Sequence, residues 1–145
     1  MNRRKLIIAL APLALLASAA NAAAATLAVT KTAFCGCCAK WVEHLRREGL
    51  TVKVRNVEDV TPTARALGVP DALRSCHTAK IGGYAVEGHV PAADIKRLLR
   101  EKPKAAGIAV PGMPAGSPGM EGGGKQRYAT FLFQRGGKYR IFAQH

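Results

Sequence analysis

The sequence predicts a single α/β domain with a mixed sheet. Three observations carry that expectation. A β-branched run, Thr26 to Lys31, precedes a helical pattern and then a second alternating run, Thr51 to Val57. Strands separated by one helix pair in parallel. Thr78 to Ile81 and Tyr84 to Val86 flank Gly82-Gly83, which reads as an antiparallel hairpin. Tyr128 to Gln134 and Lys138 to Phe142, joined by Arg135-Gly136-Gly137, read as another at the C-terminus.

The elements follow in order. After the first strand and Thr32-Ala33-Phe34 comes Cys35-Gly36-Cys37-Cys38, then a helix with Trp41, Val42 and Leu45 on one face and Gly49 as its stop. Thr61-Pro62 opens a short helix through Leu67, stopped by Gly68, and Val69-Pro70 starts a turn. Ser75-Cys76-His77 punctuates the chain before the central hairpin. Pro91 fits the first position of a helix carrying Ile95, Leu98 and Leu99, which ends before Pro103. Gly107 to Gly124 is a Gly/Pro-rich loop bearing Met113 and Met120, too sparse in apolar residues to build core. Strand, helix, strand, helix, hairpin, helix is the order of a thioredoxin-like domain, whose active site opens the first helix, where Cys35 to Cys38 lie. No internal repeat or second domain is apparent.

The N-terminus reads as an export signal. Arg3, Arg4 and Lys5 form a basic n-region, Leu6 to Leu16 an apolar h-region, and Ala20-Asn21-Ala22 a small-residue cleavage site. The apolar run is short for a spanning helix of about 20 residues. Residues 1–22 are thus expected to be a signal peptide, and 23–145 the exported, periplasmic domain, not membrane-spanning after cleavage. Loss of three basic residues leaves 19 of the 22 against 9 acidic ones. Export, scattered charges and the lack of a basic motif interleaved with aromatics speak against nucleic acid as a partner. A solvated basic surface is the default.

Four cysteines, Cys35, Cys37, Cys38 and Cys76, enter an oxidising compartment, where even counts usually mean structural disulfides. Three within four residues close only very short loops, which favours chemistry over stapling. At a helix N-terminus, unpaired N–H groups and the helix dipole favour thiolate, the form that binds metals or attacks disulfides. Cys35 and Cys38 have the C-x-x-C spacing of a redox pair. Cys37 would offer such a pair a competing partner, but gives a metal cluster a bridging sulfur.

The fold expectation brings Cys76 and His77 to a loop facing this cluster, with His89 returning to the same end as a supporting group behind the ligands. An adjacent Cys-His pair opposite three cysteines points to ligation. Met113 and Met120 recur in Pro-Gly-Met repeats without helical or strand period, and their thioethers suit Cu(I); packing of the loop onto the domain is the plainer alternative. Trp41 reads as core, His44 as solvated helix surface, and His145 as a mobile terminus.

Together, Phe34-Cys35-Gly36-Cys37-Cys38 followed by Trp41, Ser75-Cys76-His77-Thr78-Ala79, Gly83-Tyr84, Val86-Glu87-Gly88-His89-Val90-Pro91, Val110-Pro111-Gly112-Met113-Pro114 and Gly116-Ser117-Pro118-Gly119-Met120-Glu121 resemble the CopG-type periplasmic copper-resistance proteins. The resemblance covers essentially the whole chain after the leader. It implies a thioredoxin-like fold, copper bound by cysteines with His and Met help, a role in copper tolerance with other periplasmic copper-handling proteins as candidate partners, and redox interconversion of Cu(I) and Cu(II).

Three functions fit the residues. The first is a copper-binding protein, storing or oxidising and reducing one or more ions. Its thiolates would be Cys35, Cys38 and Cys76, with Cys37 as a further or bridging ligand, His77 as nitrogen donor, and Met113 and Met120 as a thioether cap. The second is a thiol–disulfide oxidoreductase using Cys35 and Cys38. The third is a zinc-bound structural domain, since three cysteines and a histidine suit tetrahedral zinc. Metal content after anaerobic purification separates zinc from copper.

Overall fold

The structure, a computed structural model, describes residues 25–145, so the expected signal peptide (residues 1–22) lies outside the described residues. Strand β1 (Leu27–Thr32) leads into helix α1 (Gly36–Arg47) and strand β2 (Val52–Val57). Helix α2 (Thr61–Ala66) and one 3-10 turn (Asp71–Leu73) precede the hairpin β3 (His77–Ile81) and β4 (Tyr84–Gly88). Helix α3 (Ala92–Glu101), β5 (Gly107–Val110), β6 (Ala129–Phe133) and β7 (Tyr139–Gln144) complete the chain.

The strands form one mixed sheet in the order β2-β1-β3-β4-β5-β6-β7. The expected parallel pair is β1 with β2, and the expected hairpins are β3 with β4 and β6 with β7. A second parallel pair, β4 with β5, is joined through α3. Here the structure corrects the expectation for residues 107–110. This segment is an inner strand buried along its whole length, and it does build core.

Side-chain alternation makes two cores. Cross-strand register lines up Val29, Ala79, Val86, Ile108 and Leu132 in one row across the sheet. That row packs with Trp41, Val42 and Leu45 of α1 and with Ile95 and Leu98 of α3. On the other side Ala85, Ala109 and Phe133 pack with Ala64 of α2, Val69 and Leu73. Burying each such Leu, Val or Ile stabilises the fold by about 1.5–3 kcal/mol. Trp41 is fully buried, as expected, and its indole N–H donates to the Val90 carbonyl at 2.8 Å. Helix α1 is therefore fixed against the chain segment that leaves β4.

Two histidines depart from their expected places. His44 is not simply solvated: its Nε2 accepts from the Ala92 N–H at 3.3 Å, capping the start of α3. Burial lowers its pKa, which keeps that lone pair available. His145 is not mobile, because its Nε2 lies 2.9 Å from the buried Asp94 carboxylate and its ring stacks on Tyr128. Thr130 donates to the same carboxylate oxygen at 2.5 Å, so β6 and the C-terminal residue share one acceptor on α3.

Candidate metal centre

The site begins at the N-terminus of α1. Cys35 is the N-cap residue, and its sulfur accepts the Cys38 N–H at 3.3 Å. The first turn carries no acidic residue, so nothing competes with a thiolate for the positive end of the helix. Cys35 and Cys38 are joined by a disulfide, and Cys37 and Cys76 are free thiols. The Cys37 sulfur stands 3.5 Å from that of Cys35, and the Cys76 sulfur 3.5 Å from that of Cys38. All four sulfurs lie within 4.8 Å of one another. A disulfide sulfur is a poor ligand, so the full four-thiolate set exists only after two-electron reduction of this bond.

A second group adjoins the first through Cys76. The Cys76 sulfur, His77 and His89 each offer a ligand atom within 4.8 Å of the others. His89 Nε2 lies 3.1 Å from the Cys76 sulfur, and His77 Nδ1 lies 3.3 Å from it. Both imidazoles have lowered pKa values through burial, His77 to about 3. Neutral imidazole carries one N–H. The Pro118 carbonyl, 2.8 Å from His89 Nδ1, can only accept, which assigns that proton to Nδ1 and leaves the Nε2 lone pair facing Cys76. A histidine anchored through its other nitrogen to a carbonyl is the usual preparation for metal ligation. Cys76 has a single S–H and cannot donate to both rings. His77 Nε2 is buried with no well-aligned hydrogen-bond partner among the described residues, although the Gly88 backbone lies near enough to act on the imidazole.

Burial, and next the neighbouring Cys37, push the Cys76 thiol up to about 12. Metal-free Cys76 is thus protonated near neutrality, and a soft cation would have to displace that proton. The donor set suits such a cation: four sulfurs, two imidazoles and a thioether, with no carboxylate among the ligating groups.

The Gly/Pro loop closes over the first turn of α1. Met113 is half exposed, and its sulfur lies 3.8 Å from the Cys37 sulfur. Met120 is partly buried, and its backbone N–H and C=O pair with Ser117 and Gly116 inside the loop. Gly119 has φ +88, and a Cβ there would stand 2.6 Å from the Cys37 carbonyl and 2.9 Å from the Trp41 nitrogen. Only glycine lets the loop approach α1 this closely. That approach delivers the Pro118 carbonyl to His89.

The site residues named from sequence are thus largely brought together: Cys35, Cys37, Cys38 and Cys76 in one group, His77 joined to it through Cys76, and Met113 beside Cys37. His89, expected only as a supporting group, stands at least as close to Cys76 as His77 does. Glycine explains this placement. Gly88 has φ +73, which ends β4 and breaks the strand's alternation just before His89. The Pro118 carbonyl was invisible in a reading of side chains; the Pro-Gly repeat was its only signal. A groove of about 570 Å³ between β2 and α2 is lined by Lys53, Arg55, Pro62 and Leu67 among others, with no thiol or imidazole, so the chemistry lies elsewhere.

Residues 73–120 match the family described as "Protein of unknown function, DUF411". Two solved structures are similar to the chain. One, described as "Copper resistance protein copG", form 2, is 43% identical, with 83% of this chain and 98% of that chain covered and a TM-score of 0.78. Form 1 is 44% identical, with 83% and 96% covered and a TM-score of 0.77. No curated protein matches the sequence.

Proposed function

The chain belongs to the CopG copper resistance family, and from that premise we propose that it holds Cu(I) in the cysteine cluster and takes part in copper resistance by interconverting Cu(I) and Cu(II). The observation that carries this reading is the meeting of four sulfurs with two imidazole nitrogens at Cys76. Clustered thiolates favour Cu(I), and bridging sulfurs allow more than one ion. Cys35, Cys37, Cys38, Cys76 and His77 are the proposed ligands, with Met113 and Met120 as the cap, and we add His89 because its Nε2 stands 3.1 Å from the Cys76 sulfur. The redox step balances in electrons: two thiolates joining into the Cys35–Cys38 disulfide release two electrons, which reduce two Cu(II) ions to Cu(I), and a thiol reductant must reopen the bond before the cluster again has all four thiolates to hold Cu(I). The fold is read as thioredoxin-like, with the C-x-x-C pair opening α1 after β1. The protein is read as periplasmic, its signal peptide being residues 1–22. Among the described residues no helix is long and apolar enough to cross a membrane.

Replacement of both Cys35 and Cys38 by serine is expected to abolish stoichiometric Cu(I) binding, followed by competition with a chromophoric Cu(I) chelator. Full Cu(I) retention in that double variant would sink the proposal. The disulfide itself favours one alternative, a thiol–disulfide oxidoreductase. Efficient insulin reduction by the metal-free protein, unaffected by replacing Met113 and Met120, would favour it, because that chemistry needs neither thioether.

A further inference from the structure

Behind Cys76 lies a carboxylate that the copper reading leaves without a task. Glu87 is fully buried on β4, and a carboxylate is expensive to bury unless its oxygens are matched. Its Oε1 accepts the Ser75 N–H at 2.8 Å and faces the Arg74 guanidinium at 3.4 Å. Its Oε2 accepts from the Thr78 hydroxyl at 2.5 Å, and Thr78 is its cross-strand partner in the hairpin. One side chain therefore grips the backbone just before Cys76 and the side chain just after His77.

The Ser75 N–H belongs to the short segment between the 3-10 turn and β3, where no strand neighbour takes it. The same segment is tied to the Met113 loop from its other side. The Ser75 hydroxyl donates to the Gly112 carbonyl, and the Gly112 N–H donates to the Arg74 carbonyl at 3.3 Å. Glu87, Ser75 and Gly112 thus form a continuous link from the sheet, through the Cys76 segment, to the residue before Met113.

We infer that Glu87 is a positioning residue: through the Ser75 N–H and the Thr78 hydroxyl it sets where the Cys76 sulfur stands relative to Cys38 and His89. The inference rests on the copper reading for its purpose, but its geometry is independent of any metal. Its role depends on the reach of the side chain. Glutamine preserves that reach: its carbonyl can accept from Ser75 and its amide can donate to the Thr78 oxygen, while the charge is lost. Aspartate preserves the charge and withdraws the carboxylate by one methylene.

The test compares Glu87→Gln and Glu87→Asp in two settings. The first is the metal-free full chain carrying Cys35→Ser and Cys37→Ser, in which Cys38 and Cys76 are the remaining thiols. Equilibration with glutathione there measures the effective concentration of one sulfur at the other. The Asp variant is expected to lower it about tenfold or more, as befits the loss of an orienting partner, and the Gln variant to stay within about threefold of the Glu87 protein. The second setting is the reduced chain with all four cysteines, where Cu(I) affinity should fall roughly 10- to 100-fold for Asp and far less for Gln. Unchanged effective concentration in the Asp variant overturns the inference. So does a Gln variant that loses as much as Asp, since charge and not reach would then be at work. If the Glu87 protein itself binds no Cu(I), the copper reading fails, while the glutathione measurement still decides the role of Glu87.

Discussion

His77 concentrates at one residue the conflict between folding and function. Its imidazole is buried against Trp41, with ring centroids 4.2 Å apart, and one nitrogen lacks a well-aligned partner among the described residues. In the folded chain it stays neutral down to about pH 3, whereas the unfolded chain takes up that proton near the ordinary value of 6.5. Between those limits the unfolded state binds the extra proton, so stability is present above the window and lost as pH falls through it. One proton corresponds to about 1.4 kcal/mol per pH unit. His89, also lowered, adds a loss of the same sign. Glu87, raised by burial, opposes it just above its ordinary value of 4.5, where the folded carboxyl still holds a proton that the unfolded one has lost. Urea unfolding of the metal-free protein should show this slope, and His77→Asn should remove about one proton from it. An unaltered slope in the variant would mean that the folded imidazole is already charged. The residue type and the neighbouring cysteine were legible in the sequence. The orphaned nitrogen was not, because it depends on which way a strand turns its side chains.

At the scale of elements, helix α1 and its cysteine N-cap were readable because an amphipathic period and a glycine stop are local signals. Strand β5 was not. Four residues followed by Pro111-Gly112 give too short a pattern, and burial on both faces erases the alternation that marks a strand. The same blindness hid the purpose of the Gly/Pro loop, whose methionines drew notice while its backbone does the orienting. Gly119→Ala tests that view. Its Cβ would strike two backbone atoms of α1, so the loop must lift, taking the Pro118 carbonyl from His89. Gly122 is the fitting control, since it also has a left-handed backbone, φ +102, but open space around it. Both alanine variants carry a backbone strain of about 1–3 kcal/mol. Gly119→Ala should lose more in thermal unfolding and alone change the His89 tautomer seen by ¹⁵N NMR. Equal effects in the two variants would show that the close approach has no consequence for His89.

Across the whole molecule, the two ligand groups share Cys76 but respond differently to oxidation. Closing the Cys35–Cys38 bond removes two thiolates from the sulfur-rich group and leaves Cys76, His77 and His89 intact. The reduced protein therefore offers a sulfur-rich site suited to Cu(I), and the oxidised protein a nitrogen-rich remnant better suited to Cu(II). Because a ligand stabilises the state that binds it, this difference should be visible in global unfolding. A Cu(I) concentration about 100-fold above Kd adds about 2.7 kcal/mol, which for a domain of this size raises Tm by roughly 10 °C. That rise is expected for the reduced protein, and a much smaller one for the disulfide form at the same free Cu(I). Calorimetry on both forms, with the disulfide state checked by thiol titration after each scan, makes the comparison. Equal shifts would place the copper away from Cys35 and Cys38 and leave the disulfide as a separate redox device. A shift confined to the reduced form would tie metal capacity to the state of that one bond.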